Sequence, residues 1–216
     1  MLKIGIIGCG WIVKKAYLPV LAQMSDMKVS GIFDINFQDP GNIREQYNIY
    51  DNIDDFLCTS HDAVIIATPN NTHSYYTNLV LNSGRHVLCE KPVAFTRSAA
   101  EFSVSTAKAK QKIYLPALVN RFSKDVLKFC ELVSLIGEIL EVDVSWIRKS
   151  GIPRPGTWIT SREKAGGGAL IDIGTHVIDI GLMFISDKRI KHEHLIYGTI
   201  EDIEHKGAQW NISNES

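Results

Sequence analysis

The sequence has few cysteines, almost no charge excess and no long apolar run. Its 216 residues include 4 cysteines. These are scattered without a CxxC pair, which argues against a disulfide framework or a metal site and favours reduced cytoplasmic thiols. A formal net charge of −1 leaves no electrostatic footprint for nucleic acid or an anionic membrane. No run could span a bilayer, and no signal-peptide layout precedes the first strand. We therefore expect a cytoplasmic protein with neither nucleic-acid nor membrane partners.

The first half of the chain alternates short β-branched runs with helical patterns. Its 45% hydrophobic and 22% charged residues are ordinary for globular domains. Strands are predicted over residues 3–7, 28–33, 62–67, 86–89 and 113–118. Helices are predicted over residues 11–24, with an interruption near Pro19, and over 72–82 and 98–110. Continuous apolar strands separated by helices predict an α/β fold, a doubly wound parallel sheet of the Rossmann type.

The pattern changes near residue 120, so we expect two domains, 1–119 and 120–216. A helix is predicted over 126–135. Residues 140–146 then alternate apolar and polar, which is typical of a strand with one wet face in an antiparallel or mixed sheet. The Gly- and Pro-rich segment 150–156 is predicted to be a loop.

A glycine turn follows the first predicted strand. Gly8 suits a tight turn, and Gly10 would let the backbone approach a pyrophosphate. The next helix, which begins with Trp11 and Ile12, offers unpaired N–H groups and a positive dipole end. The third small residue of the dinucleotide fingerprint is replaced by Val13, which predicts a slightly wider contact between helix and strand. We expect this turn to bind a dinucleotide.

Asp34 ends the second predicted strand. A carboxylate at this position accepts hydrogen bonds from ribose hydroxyls and repels a 2′-phosphate, so the sequence favours NAD over NADP. The alternative is that the glycines form a plain turn and that Asp34 caps one.

Polar residues also follow the strands over 62–67 and 86–89. Ligands of open parallel sheets lie beyond the carboxyl ends of the strands, so these residues should border the cofactor: Thr68, Pro69, Asn70, His73, Glu90 and Lys91. Lys91 precedes Pro92 and is therefore restricted to extended backbone. It could bind a substrate hydroxyl or stabilise its alkoxide; the alternative is a solvated lysine.

The stretch GGGALIDIGTH, residues 166–176, leads three glycines into a helix that is apolar over most of its circumference. Asp172, His176 and Asp179 share one stripe of that helix, and the spacing lets Asp172 approach His176. Three interpretations remain open: a catalytic pair, a buried pair that satisfies itself, and a metal site. We predict catalysis and no metal.

Three further residues flank the predicted cleft between the domains. Asn120, Arg121 and Trp158 are candidates for the substrate pocket. Arg121 could equally form a surface ion pair, and Trp158 could equally belong to the core.

Taken in order, the motifs IGIIGCGWI, ATPNNTH, CEKP and GGGALIDIGTHVID, with Trp158, resemble a known family. It comprises the glucose-fructose oxidoreductase, inositol dehydrogenase and rhizopine-catabolism (Gfo/Idh/MocA) proteins, and the resemblance extends from residue 3 to about residue 185. It implies a Rossmann domain followed by an α+β domain with a mostly antiparallel sheet. It also implies NAD(P)-dependent oxidation or reduction at a sugar or cyclitol carbon, with Lys91, Asp172 and His176 as the catalytic residues. The Lys91–Pro92 peptide corresponds to one that is often cis.

Two departures from the family are visible, Val13 and the length of the chain. Family members are considerably longer, so we expect the second domain to be incomplete. Its sheet commonly forms the dimer interface, which implies a homo-oligomer.

The expected mechanism is hydride transfer with His176 as base, Lys91 stabilising charge on the substrate oxygen and Asp172 orienting. Which of Lys91 and His176 carries the proton stays open. A non-catalytic dinucleotide-binding regulator, a truncated pseudo-enzyme and an NAD-recycling, glycosidase-like enzyme are the alternatives.

Overall fold

The computed structural model describes residues 1–38, 41–147 and 156–184. The chain divides into two compact units, Met1–Ala117 and Leu118–Ser216, close to the division expected at 119/120. The first unit holds a six-stranded sheet in the order β3-β2-β1-β4-β5-β6, and every neighbouring pair is parallel. The strands are β1 Leu2–Ile7, β2 Met27–Phe33, β3 Ile49–Tyr50, β4 Ala63–Ile66, β5 His86–Cys89 and β6 Tyr114–Pro116. The predicted doubly wound sheet is thus confirmed.

Helices connect these strands. They are α1 Leu18–Leu21, α2 Ile43–Gln46, α3 Ile53–Cys58, α4 His73–Asn82 and α5 Arg97–Ala109. The two long helices, α4 and α5, confirm the periodicity of the sequence. The sequence reasoning missed α2, β3 and α3, which have 4, 2 and 6 residues. Elements this short do not complete enough turns or alternations for a periodic signal.

The helical run after the glycine turn contains a wider turn. Residues Val13–Tyr17 are π-helical, and α1 follows directly. The N–H of Leu18 donates to the carbonyl oxygen of Val13, five residues earlier. Pro19 lies in the first turn of α1. Proline has no N–H and cannot donate to the preceding helical turn, and the wider π-helical turn lies directly before this position. The predicted interruption near Pro19 is therefore confirmed as a π-helical turn.

Two glycines make room for aromatic rings against the sheet. Gly5 of β1 and Gly31 of β2 are register partners. A Cβ atom on Gly5 would lie 2.7 Å from Cζ of Phe56, and one on Gly31 would lie 2.7 Å from Cε2 of Tyr50. These distances are shorter than a van der Waals contact, so a side chain at either position would clash with a ring. The rings therefore pack directly on the backbone of the two glycines. This packing attaches the segment containing β3 and α3 to the sheet.

The second unit is helical in its described residues. It contains the 3₁₀ turns Val119–Phe122 and Trp158–Thr160, the π-helical stretch Leu170–Gly174, and the helices α6 Lys124–Val133, α7 Arg162–Ala165 and α8 Thr175–Met183. Helix α6 confirms the prediction over 126–135. Residues 118–147 and 156–184 contain no strand.

The prediction of a strand over residues 140–146 is therefore not met. Val142 and Val144 are half-buried between exposed neighbours, but Leu140 and Trp146 are exposed, so the predicted alternation of exposure is present only in the middle of the segment. A strand also needs a hydrogen-bonded neighbour, and the described residues of this unit supply none. The predicted antiparallel sheet stays a prediction, and the predicted loop over 150–156 lies outside the described residues except for Gly156.

All four cysteines fall within the described ranges, and each is a free thiol. Across those same ranges, no helix combines the length and the apolar character that crossing a membrane would require.

His61 is a buried, neutral component of the first unit. Its Nδ1 lies 2.7 Å from the Ser30 hydroxyl and its Nε2 lies 2.9 Å from the carbonyl oxygen of Phe56. The imidazole also stacks on the Phe56 ring, with centroids 4.3 Å apart. A neutral ring that donates from Nε2 and accepts at Nδ1 satisfies both contacts. Burial lowers the pKa of His61 below its ordinary value.

The His61 environment predicts a loss of stability in acid. With a lowered folded-state pKa, the unfolded chain binds a proton that the folded chain does not, so stability falls as the pH drops below about 6.5. We expect urea unfolding between pH 7 and 5 to show a smaller loss of stability for His61→Gln than for the wild type. Ser30→Ala, which keeps the imidazole, should retain a pH slope. An identical slope in the wild type and His61→Gln would contradict the assignment.

Candidate functional site

The carboxyl ends of the strands form one level edge. The last residues of β1, β2, β4 and β5 are register partners of their neighbours' last residues. Backbone N–H groups just beyond each strand extend these ladders: Gly8 donates to Phe33 over 2.7 Å, Ala67 to Ile7 over 2.8 Å and Glu90 to Ile66 over 2.9 Å. The glycine turn, the Thr68 loop and the Glu90–Lys91 segment are therefore all fixed along the same edge. β1 lies at the topological switch point of the sheet, because β2 and β3 are added on one side of it and β4 to β6 on the other.

The two glycines of the turn have different roles. Gly8 has φ +91°, and a Cβ atom on it would lie 2.5 Å from the carbonyl oxygen of Ala67. Both facts require glycine there. A Cβ atom on Gly10 would meet no described atom within 4 Å. The fold therefore does not require glycine at position 10, and the backbone there is open to an incoming group.

Asp34 accepts hydrogen bonds from the backbone of two turns. Its Oδ2 accepts from the backbone N–H of Cys9 over 2.6 Å, and its Oδ1 accepts from the N–H of Asn36 over 2.8 Å. The carboxylate thus closes the turn that follows β2. It also ties the glycine turn to β2. Each oxygen retains capacity for a second hydrogen bond, so ribose binding is compatible with this geometry.

A cleft of about 290 Å³ lies beside Asp34. Its walls include Asn36, Phe37, Arg44 and Asp51. The guanidinium of Arg44 lies 4.9 Å from the centre of the Phe37 ring. The sequence reasoning missed Phe37 and Arg44, because they lie near the short elements that carry no periodic signal. A cleft with an aromatic wall and mixed charges suits a planar polar group.

His73 lies between two loops and contacts both. The residue is 1% exposed. Its Nδ1 lies 2.7 Å from the carbonyl oxygen of Pro92, and its Nε2 lies 2.9 Å from that of Thr68. Burial lowers the pKa of His73, while the two carbonyl oxygens act in the opposite sense. With its pKa lowered, the ring has one N–H and donates to one of these two carbonyl oxygens. His73 is thus packed between the loops after β4 and β5 rather than presenting an open ring.

The other predicted residues of this edge vary in exposure. Trp11 is 74% exposed, whereas Asn70 is buried. Ile12, Thr68, Pro69, Glu90 and Lys91 are half-buried. The Lys91–Pro92 peptide is cis, as the resemblance implied. The neighbouring Cys89 thiol is not a nucleophile candidate, because burial raises its pKa to about 12.

In the second unit, Arg121 is engaged by an acidic partner. Its Nε donates to Oδ2 of Asp179 over 2.8 Å and to Oδ1 over 2.9 Å. The Asp179 side chain is 8% exposed. The predicted place of Arg121 in the substrate pocket stays a prediction, while the structure shows an ion pair with a buried carboxylate. It ties the turn Val119–Phe122 to α8, and sequence spacing alone could not reveal it because 58 residues separate the partners.

The remaining candidates lie on short turns and on the last helical run. Asp172 falls in the π-helical stretch Leu170–Gly174, and His176 falls in α8. The His176 ring lies 6.0 Å from the Trp146 ring, centre to centre. Trp146 was missed as a site candidate because its alternation suggested a strand. Asn120 and Trp158 are half-buried, and Nδ2 of Asn120 is buried with no hydrogen-bond partner among the described residues.

Family models match both parts of the chain. Residues 2–118 match the oxidoreductase family with an NAD-binding Rossmann fold. Residues 133–195 match the GFO/IDH/MocA C-terminal domain.

Individual relatives are similar over most of this chain. It is 30% identical over 196 residues to D-glucoside 3-dehydrogenase of Escherichia coli, covering 88% of this chain and 56% of that protein. It is also 30% identical over 194 residues to glucose-6-phosphate 3-dehydrogenase of Bacillus subtilis, covering 87% and 55%. The crystal structure of an NAD-binding protein from Listeria innocua superposes with a TM-score of 0.77 at 28% identity, covering 86% and 55%. The chain thus spans little more than half the length of these relatives.

The glycine turn yields a contrast between two alanine variants. Gly8→Ala should unfold more readily, because its Cβ would meet backbone in a conformation that favours glycine. Gly10→Ala should keep the wild-type melting temperature, since its Cβ has open space, but lose NADH affinity at least about tenfold if a pyrophosphate approaches there. Thermal melting and calorimetric NADH titration measure both effects. Wild-type affinity in a folded Gly10→Ala protein would contradict this prediction.

Proposed function

Because the chain belongs to the oxidoreductase family with an NAD-binding Rossmann fold, we propose that it transfers a hydride between a nicotinamide cofactor and a sugar or cyclitol carbon. The observation that carries this proposal is the edge on which the open backbone of Gly10 and the strand-end Lys91 both lie. One side of that edge suits a dinucleotide, and the other supplies a cation for a reacting oxygen.

The residues of the first unit fit the cofactor. The backbone around Gly8 and Gly10, with the helix end at Trp11 and Ile12, would hold the pyrophosphate. Asp34 would accept from the ribose hydroxyls, and the cleft beside it would take the adenine. Residues of the β4 and β5 ends would border the nicotinamide, among them Thr68, Pro69, Asn70 and Glu90. When bound, the nicotinamide accepts or supplies the hydride.

The chain's own residues would handle the proton and the substrate oxygen. His176 would take the hydroxyl proton during oxidation, since an imidazole titrates near neutral pH. Nζ of Lys91 would bind the same oxygen and stabilise its developing negative charge. Asp172 would orient the substrate or the His176 ring.

The substrate proposed is a pyranose or a cyclitol with a ring hydroxyl as the reacting group. Two relatives carry the name 3-dehydrogenase and act on glucose derivatives by that name, which supports oxidation at position 3 of a glucose unit. Asn120 and Trp158 are proposed to line the substrate pocket, and the buried Nδ2 of Asn120 supports a polar role. A homo-oligomer formed through the C-terminal sheet completes the proposal.

The cofactor preference can be tested with the exposed Trp11 as reporter. We expect NADH to quench tryptophan fluorescence at lower concentrations than NADPH, because the Asp34 carboxylate repels a 2′-phosphate. Trp11→Phe should bind NADH but lose most of the quench, which identifies the signal. Asp34→Asn should narrow the gap between the two nucleotides. Tighter NADPH binding by the wild type would contradict the preference.

The catalytic assignment is tested by turnover. In a screen of glucosides, glucose phosphates and inositols with NAD, Lys91→Ala and His176→Ala should each lower kcat by about 10² to 10⁴. Lys108→Ala, on the outer helix α5, is the matched control and should retain the wild-type rate. NADH should accumulate with product; turnover without a net change in NADH indicates cofactor recycling instead. Full activity in both variants would overturn the proposed mechanism.

A further inference from the structure

A tyrosine from the helical run after the glycine turn reaches the acid beside Lys91. The Tyr17 hydroxyl donates to Oε1 of Glu90 over 2.8 Å, although 73 residues separate them. The other carboxylate oxygen, Oε2, accepts from the backbone N–H of Lys91 over 3.3 Å. Glu90 is therefore held at both oxygens, one by the helical run and one by the segment that carries the proposed catalytic lysine.

The Tyr17 side chain comes from the π-helical turn of this run. Tyr17 is the last residue of Val13–Tyr17. A π-helical turn contains one more residue than an α-helical turn, so it rotates the side chains that follow relative to a regular helix. The Tyr17 ring packs against the core that contains Val13 and Leu18. Because the ring is packed, its hydroxyl has a fixed position at the carboxyl end of β5.

The hydrogen bond joins a neutral donor to a carboxylate, and such charge-assisted bonds are stronger than neutral ones. Burial and the neighbouring Glu90 carboxylate raise the pKa of Tyr17 well above its ordinary value. The phenol thus keeps its proton and remains a donor throughout the neutral range. Since Tyr17 is half-buried, water can replace its hydroxyl only in part.

We propose that Tyr17 is a positioning residue: its hydroxyl fixes Glu90, and through Glu90 the backbone of Lys91, in the orientation that a bound dinucleotide requires. This inference rests on the proposed function, because it concerns the same site. The affinity for the nucleotide then depends on the Tyr17 hydroxyl, which acts on Glu90 and not directly on the nucleotide.

A double-mutant cycle on NADH affinity tests the inference. Tyr17→Phe removes only the hydroxyl and should weaken NADH binding about tenfold, the scale of one hydrogen bond to a charged group. Glu90→Ala removes both acceptor oxygens and should weaken it as well. In the double variant, the loss should equal that of Glu90→Ala alone within about twofold, because Tyr17 acts through Glu90. Tyr75→Phe is the matched control, since Tyr75 is 62% exposed, and it should bind NADH like the wild type.

Hydrogen exchange of the ligand-free protein separates this inference from the proposed function. Tyr17→Phe should speed exchange at residues 90 and 91 relative to the β4 amides, whereas Tyr75→Phe should not. If the wild type fails to bind NADH but this exchange pattern appears, the proposed function fails and the positioning of Glu90 stands. Two results overturn the inference: losses of affinity that multiply in the double variant, or a Tyr17→Phe protein with wild-type affinity and wild-type exchange.

Discussion

The register of the parallel sheet at its carboxyl edge is the constraint on which the site depends. The last residues of neighbouring strands are partners from β3 through β6, and the backbone beyond them continues the ladders. A slip of one residue in any strand would reverse the faces of its side chains and move its loop by about 3.3 Å. The glycine turn and the Glu90–Lys91 segment keep their relative places because this edge is level.

Side chains then lock the loops that the backbone has aligned. Asp34 ties the end of β2 to the glycine turn after β1. His73 joins the loops after β4 and β5, and Tyr17 joins the helical run after β1 to the end of β5. Each of these three contacts joins segments that follow different strands of the edge. Together they convert a row of separate loops into a preorganised surface, which lowers the entropy cost of binding a ligand.

Sequence patterns predicted what local periodicity encodes. The apolar run of β4, the long helices α4 and α5, and the glycine turn each have a signal within a few residues, and the structure contains them. The alternation at 140–146 failed as a predictor because a strand also requires a partner. The contacts of Arg121 and Tyr17 could not be predicted for another reason: their partners Asp179 and Glu90 are distant in sequence. Contacts between residues this far apart have no characteristic spacing in the sequence. The motifs therefore identified the candidate site but not the contacts that support it.

The paired glycines of β1 and β2 also constrain how the sequence can change over evolutionary time. Gly5 and Gly31 make room for rings that come from the later segment holding β3 and α3. A larger residue at Gly5 becomes acceptable only when Phe56 or His61 has become smaller. These positions are therefore expected to vary jointly among related chains, and a family alignment would record the joint variation as correlated substitutions.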